Sequence, residues 1–191
     1  MVDLKNCHLT SDQSQQFLTA ITEPSCRITD LSMQFVKTWG LTSSVLGPAV
    51  ARLVRVNLCG IHWSMTGNWS TELLTATLSS TTLAHLDLSH NDLSDVPGDI
   101  LAAAVGRLVT ADLRYTNLTP GQVVDILTKI PTSDTLTKVF LGHADMSRVP
   151  EHVLGQAAAH LMELSLRNCK LTQEQYLALM ASGRWINFQL N

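Results

Sequence analysis

An eleven-residue pattern that recurs along the chain constrains its fold more than any other feature. Residues 83–93 read LAHLDLSHNDL, with leucine at positions one, four, six and eleven and asparagine at position nine. Residues 161–171, LMELSLRNCKL, are a close copy with cysteine at position nine. Degenerate copies occupy residues 108–118, 136–146, 53–63 and 28–38, and VDLKNCHL near the N-terminus supplies the second half of another. We therefore expect an array of similar structural units.

The residues at position six define the period of this array. They are Leu4, Met33, Leu58, Leu88, Leu113, Leu141, Leu166 and Leu190. Their successive separations are 29, 25, 30, 25, 28, 25 and 24 residues. Leucine-rich repeats have this pattern and a period of about 20–29 residues. Seven consecutive spacings within or just above that range argue strongly against chance.

Each unit combines a strand pattern with a helix pattern. Apolar residues alternate around position six, which predicts a half-buried strand. Residues 118–130 place apolar side chains at i, i+3, i+4 and i+7, which predicts a helix with one buried face. A single strand and helix cannot bury both apolar faces, so neighbouring units must stack. The predicted fold is an α/β leucine-rich repeat solenoid of about seven repeats, a horseshoe segment with parallel strands on its concave face and helices on its convex face.

Two kinds of unit alternate along the chain. Three helical stretches are rich in small apolar residues, and the last two of them follow a Val-Pro step: 43–53, 98–108 and 151–161. Three others begin with Leu-Thr and carry glutamine three residues after the threonine, which predicts a capping box: 9–21, 118–130 and 171–180. We also expect the alanines at 102–104 and 157–159 to allow close packing of the helices.

Position nine is where the chain turns out of the strand. Polar side chains there are expected to bond to buried backbone groups, at Asn91, Thr116, Cys7 and Cys169. Three units have apolar residues instead and should interrupt this ladder, at Val36, Ile61 and Ala144.

The alternation of the two unit types resembles the ribonuclease-inhibitor-like class of leucine-rich repeat proteins, which is also used in intracellular innate immune receptors. This resemblance covers nearly the whole chain. It implies a protein-protein interaction module with a partner on the concave strand face, as part of a larger intracellular receptor or scaffold. Extracellular recognition at a cell surface remains an alternative, and so does regulation of a small GTPase or inhibition of an enzyme by wrapping around it.

Composition narrows the range of partners and compartments. The net charge of the 191 residues is -3, so no basic field favours nucleic acid, and no apolar run approaches the ~20 residues that span a bilayer. Four well-separated cysteines and an N-terminus without a signal pattern favour the cytoplasm. Two glycosylation patterns, at Asn68 and Asn117, keep the extracellular alternative open.

The whole chain, 1–191, is expected to form a single domain that is truncated mid-repeat at both ends. Trp185, Phe188 and Leu190 would begin an eighth unit that the chain does not finish. Solenoids normally end in atypical capping units. Uncapped ends therefore predict a fragment of a longer protein, or end-to-end self-association through the terminal repeats.

The eleven-residue pattern also predicts a binding surface, because side chains at positions three, five, seven and eight should point into the concavity. The predicted partner-binding residues are Asp87, His90, Asp112, Arg114, Tyr115, Lys138, Phe140, His143 and Arg167. In this register Asp87 and Asp112 are adjacent, and His90, Tyr115 and His143 form a row at position eight. Phe140 is expected to be an exposed aromatic side chain.

Three other interpretations of this surface remain open. Neighbouring strands bring His90, Asp112 and His143 close enough for a metal site, although their spacing is not a known ligand motif. Asp87 and Asp112 would form an acid/base pair, although an open face does not exclude water. In the third interpretation, the face is an ordinary solvated surface that binds no ligand. The sequence contains no phosphate-binding loop, nucleophile elbow or H-E-x-x-H motif, so we expect neither enzymatic activity nor a cofactor.

Overall fold

Parallel strands in chain order form the frame of the molecule. The computed structural model describes residues 1–36, 42–61 and 68–183. Within these ranges seven strands form one open sheet. They are β1 (Val2–Asp3), β2 (Asp30–Ser32), β3 (Arg55–Asn57), β4 (His85–Asp87), β5 (Thr110–Asp112), β6 (Lys138–Phe140) and β7 (Glu163–Ser165).

A helix follows each of these strands and returns the chain to the start of the next unit. Over the same described ranges they are α1 (Ser11–Thr22), α2 (Ser43–Ala51), α3 (Trp69–Thr77), α4 (Gly98–Val105), α5 (Pro120–Lys129), α6 (Glu151–His160) and α7 (Gln173–Ala181). This alternation confirms the α/β leucine-rich repeat solenoid. The two recurring patterns do not locate helix α3, because its segment shows neither the alanine-rich pattern nor the Leu-Thr start. Trp185, Phe188 and Leu190 lie outside the described residues.

The strands pair in a register that places equivalent positions of successive units side by side. Leu31 pairs with Val56 and Val56 with Leu86, and the same register continues to β7. These position-four side chains are buried, and so are the position-six residues from Met33 to Leu166. Residues at positions three and five lie on the other side of the sheet, which we call the strand face. Burial of every second residue confirms the half-buried strands.

Alanines contribute to the helical layer less uniformly than expected. Ala102, Ala104, Ala157 and Ala158 are buried. Ala103 is only half-buried and Ala159 is exposed, so the expectation was wrong for these two. Helices expose one side to solvent, and a run of three small residues always places some of them on that side.

Position nine forms the predicted contacts with backbone carbonyls at Asn91, Thr116 and Cys169. The amide of Asn91 donates to the carbonyl of Leu88 at 2.8 Å and to that of Leu58, in the preceding unit, at 2.9 Å. Cys169 also reaches the preceding unit, because its thiol lies 3.2 Å from the carbonyl of Leu141. Thr116 bonds within its own unit, and apolar side chains fill the positions of Val36, Ile61 and Ala144.

The predicted capping boxes begin helices α1, α5 and α7. The glutamines of α5 and α7 also donate hydrogen bonds to the preceding unit, which the sequence did not predict. Gln122 is buried, and its side-chain amide donates to the carbonyls of Leu93 at 2.8 Å and Val96 at 2.6 Å. Gln175 likewise donates to the carbonyls of Met146 and Val149, both at 2.8 Å. The Leu-Thr units of α5 and α7 therefore satisfy backbone groups in the loops of the Val-Pro units before them.

Replacing Gln122 by leucine tests this link between units. Gln122→Leu removes the capping box and also leaves the buried carbonyls of Leu93 and Val96 without their donor. An unsatisfied buried polar group costs about 1–3 kcal/mol. We expect Gln122→Leu to lower the free energy of unfolding by about 2–4 kcal/mol, measured by urea denaturation.

Gln13→Leu is the matched control, because Gln13 forms the same capping box in α1 but is exposed. We expect it to cost only about 1 kcal/mol. Equal losses in the two variants would mean that the bonds of Gln122 to the preceding unit contribute nothing.

Candidate functional site

Two rows of side chains cross the strand face. The position-three row consists of Asp30, Arg55, His85, Thr110, Lys138 and Glu163. The position-five row consists of Asp3, Ser32, Asn57, Asp87, Asp112, Phe140 and Ser165. The register pairs Asp87 with Asp112 and Asp112 with Phe140. The structure thus places the two predicted aspartates next to each other.

Position five has a structural role as well, which the repeat pattern does not predict. One side-chain oxygen of Asp87 accepts the backbone N–H of Ser89 at 2.9 Å, and Asp112 accepts that of Arg114 at 3.1 Å. Asn57 makes the same contact with the N–H of Cys59 at 2.9 Å. Aspartate and asparagine commonly form such turns with the backbone two residues on. The Asx residues at position five therefore hold the turn in which each of their strands ends.

Asp112, Arg114 and Phe140 form a compact cluster in the middle of the strand face. The Arg114 guanidinium donates from Nε and Nη2 to the Asp112 carboxylate at 2.5–3.0 Å. Its Cζ lies 5.7 Å from the centroid of the Phe140 ring, within the range of a cation–π contact. Phe140 is half-buried rather than exposed, so the expectation of an exposed aromatic side chain was wrong. The neighbouring guanidinium covers part of its ring.

Asp87 lies beside this cluster in a depression of about 320 Å³ that extends over β2 to β6. The hydroxyl of Ser89 donates to its Oδ1 at 2.6 Å. In the part of the chain that the structure describes, no basic side chain lies within 4.0 Å of its carboxylate. Burial raises the pKa of Asp87 above its usual value and the nearby Asp112 adds to this, while the Ser89 hydrogen bonds and the Arg114 charge oppose it.

The position-three row contributes charges that are already paired. Asp30 lies 3.6 Å from Arg55, and the Lys138 ammonium lies 3.0 Å from Glu163. Burial and the charge of Arg55 lower the pKa of His85, against the opposite effect of Asp30. The lowered pKa favours the neutral imidazole of His85 at neutral pH.

Position eight forms an exposed ladder of stacked rings along the edge of the strand face. The rings of His90 and Tyr115 stack with centroids 4.5 Å apart, and those of Tyr115 and His143 with centroids 3.9 Å apart. His143 is in turn hydrogen-bonded to Asn168 at 2.8 Å. At the other end, the Phe35 ring lies 6.2 Å from that of His90. The ladder thus includes the predicted row and extends it by one residue at each end.

Backbone geometry explains why these side chains line up. Position eight has a positive φ in every described unit, at Asn6, Phe35, Gly60, His90, Tyr115, His143 and Asn168. Such φ values are uncommon for residues other than glycine. At Gly60 a Cβ atom would lie 2.3 Å from the Phe35 ring, so the glycine gives Phe35 room to reach towards His90. The positive φ at Phe35 had no signal in the sequence, because residues 28–38 are the poorest copy of the pattern.

Position seven does not behave as one set. Arg114 and Arg167 are exposed, as expected, whereas Cys59 and Ser89 are buried. Ser165, at position five, is also buried.

The interpretation as a metal site finds no support in the geometry. Tyr115 stacks between His90 and His143, and Asp112 is bound by Arg114. Within the described ranges no three His, Cys, Asp or Glu side chains are arranged to hold a metal ion. None of the helices described is long and apolar enough to span a membrane.

The comparison with known families agrees with the fold. A leucine-rich repeat family model matches residues 79–96, the segment that contains β4 and the best copy of the eleven-residue pattern. Among curated proteins, none matches the sequence of this chain. The matched repeat and the seven parallel strands that alternate with helices in the described ranges fit a leucine-rich repeat protein. Such repeats are generally protein-interaction modules.

The raised pKa of Asp87 leads to a prediction about stability. Because its carboxyl binds a proton more strongly in the folded state, its ionisation destabilises the fold as the pH rises through that pKa. Asp87→Asn keeps the turn, as Asn57 does, and removes the charge. We expect a higher free energy of unfolding for Asp87→Asn at neutral pH, and a gain that shrinks in acid. Urea denaturation across the pH range measures it, and a less stable variant at neutral pH would contradict the assignment.

The ladder predicts a different effect at Tyr115. Tyr115→Asn keeps a residue type that tolerates positive φ, as at Asn168, but removes both stacking contacts. An aromatic pair contributes about 0.5–1.5 kcal/mol, so we expect a loss of about 1–2 kcal/mol in the free energy of unfolding. Tyr115→Phe is the control and should change it little. A similar loss in both variants would assign the effect to the hydroxyl group instead.

Proposed function

We propose that this chain is a protein-protein interaction module that binds a protein partner on its strand face, with no catalytic role. The observation that carries this proposal is the cluster of Asp112, Arg114 and Phe140 beside the ladder of His90, Tyr115 and His143. Arginine and aromatic side chains dominate the binding energy of many protein interfaces. Here they are concentrated on three neighbouring units.

The cluster and the ladder are also ordered before any partner arrives. Arg114 is bound to Asp112 through three hydrogen bonds of 3.0 Å or less, and Tyr115 is stacked on both sides. Immobilising a flexible side chain at an interface costs about 0.5–1.5 kcal/mol. Side chains that are already held in place avoid most of that cost. Lys138 and Arg167, both exposed, would extend the surface towards β7.

We further propose that the module belongs to the ribonuclease-inhibitor-like class and forms part of a larger intracellular receptor or scaffold, of the kind used in innate immunity. The bonds of Gln122 and Gln175 to the preceding units support a structural unit made of two alternating repeats. All four cysteines are free thiols, which favours a reducing compartment such as the cytoplasm. End-to-end self-association remains a prediction.

The test is to compare the partners that the wild type and two triple variants retain. One variant removes the site, with Arg114→Ala, Tyr115→Ala and Phe140→Ala. The control changes three exposed residues of helix α6, with Glu151→Ala, His152→Ala and Gln156→Ala. Proteins captured by the wild type are identified, and their affinities for all three forms are then measured by calorimetry.

We expect the site variant to bind at least about 100-fold more weakly, since a single interface anchor often contributes 2 kcal/mol or more. The helix variant should bind like the wild type, and circular dichroism should show that both variants are folded. A partner whose affinity is lost with the helix variant but kept with the site variant would move the interface to the helical side and overturn the proposal.

A further inference from the structure

We propose that the depression on the strand face receives one basic side chain of the protein partner, whose cationic group pairs with the carboxylate of Asp87. This inference rests on the proposed function and names the chemistry of the partner at that site. Neither the repeat pattern nor the family resemblance implies it. Three observations carry it, concerning the charge of Asp87, the charges around it and the shape of the depression.

The negative charge of Asp87 is not needed for the local fold. Its Oδ1 accepts hydrogen bonds from the backbone and the hydroxyl of Ser89, which holds the turn after β4. Asn57 makes the equivalent backbone bond in the preceding unit with a neutral amide oxygen. An asparagine would therefore serve at position 87 as well. Ionisation of a half-buried carboxylate that has no structural need for its charge disfavours folding, and such sites are often functional.

The other carboxylates of the strand face between β2 and β7 already have basic partners. Asp30 lies beside Arg55, Asp112 is bound to Arg114, and Glu163 lies beside Lys138. Among these described strands Asp87 is the exception, and its Oδ2 accepts no hydrogen bond from the described residues. A cation from outside the chain would complete the pattern.

The depression has the size and lining for a single long side chain. Its volume of about 320 Å³ is at the small end of the roughly 300–1,000 Å³ that is typical of small-molecule sites. Asp30, Asp87 and Asp112 line it together with Arg55 and Phe140. Because Asp30 and Asp112 are already paired, the carboxylate of Asp87 is the group that favours a positive charge here, and the Phe140 ring offers apolar contact to the methylene groups of arginine or lysine.

The experiment uses small probes on the full chain, so that it does not depend on finding the partner. Backbone amide resonances are followed by NMR while N-acetyl-arginine methylamide is added at millimolar concentrations. The neutral analogue, N-acetyl-citrulline methylamide, has almost the same shape without the charge. N-acetyl-lysine methylamide distinguishes an arginine site from a lysine site.

We expect the arginine or the lysine probe to shift saturably the resonances of residues 85–89 and 110–114, whereas the citrulline probe should not. Asp87→Asn should weaken this binding about tenfold or more. The matched control is Asp134→Asn, because Asp134 is an exposed carboxylate in the loop before β6, and it should leave the binding unchanged.

Three outcomes would overturn the inference: no shifts with either basic probe, equal shifts with citrulline, or binding that survives Asp87→Asn. Failure of the proposed function can be recognised separately. If an identified partner loses affinity with Arg114→Ala, Tyr115→Ala and Phe140→Ala but not with Asp87→Asn, the strand face is the interface and only the basic side chain is wrong. If the basic probes bind but no partner depends on the strand face, the proposed function fails while the site stands.

Discussion

Burial between neighbouring units is the interaction on which the rest of this structure depends. A single unit has one strand of two or three residues and one short helix, and neither can bury its apolar side alone. Leu58 or Leu88 becomes inaccessible to solvent only because a unit lies on each side of it. The strict register of the strands follows, because equivalent leucines must meet equivalent leucines. The rows of the strand face are a by-product of the same register.

Polar contacts then decide how each unit turns and what its outer surface carries. The strand in several units ends in a turn that an aspartate or asparagine at position five holds, and position eight adopts a positive φ. A conformation that is costly for a large side chain is thereby imposed on Phe35, His90, Tyr115 and His143. Stacking between adjacent rings offsets part of that cost. The ladder is therefore at once a consequence of the repeat and a surface that a partner can contact.

Much of this was predictable from the sequence, because leucine spacing reports burial directly. The alternating strands and helices, the capping boxes at Thr10, Thr119 and Thr172, and the adjacency of Asp87 and Asp112 all follow from the period. Features that depend on contact between units were not predictable. Nothing in the sequence shows that Gln122 reaches the loop before Pro97, that Arg114 partly covers Phe140, or that Cys59 is shielded. The bounds of helix α3 were not predictable either, because its apolar residues follow neither of the two recurring patterns.

The bonds of Gln122 and Gln175 to the units before them also bear on how such an array can grow. A unit with Leu-Thr supplies donors that a unit with Val-Pro lacks, and it supplies them in one direction along the chain. If one Leu-Thr unit were lost, the loop carbonyls of the preceding Val-Pro unit would face a neighbour that has no glutamine amide to donate to them. Exchange of a whole pair would preserve every such contact. Stability alone would therefore favour changes in length by two units over changes by one.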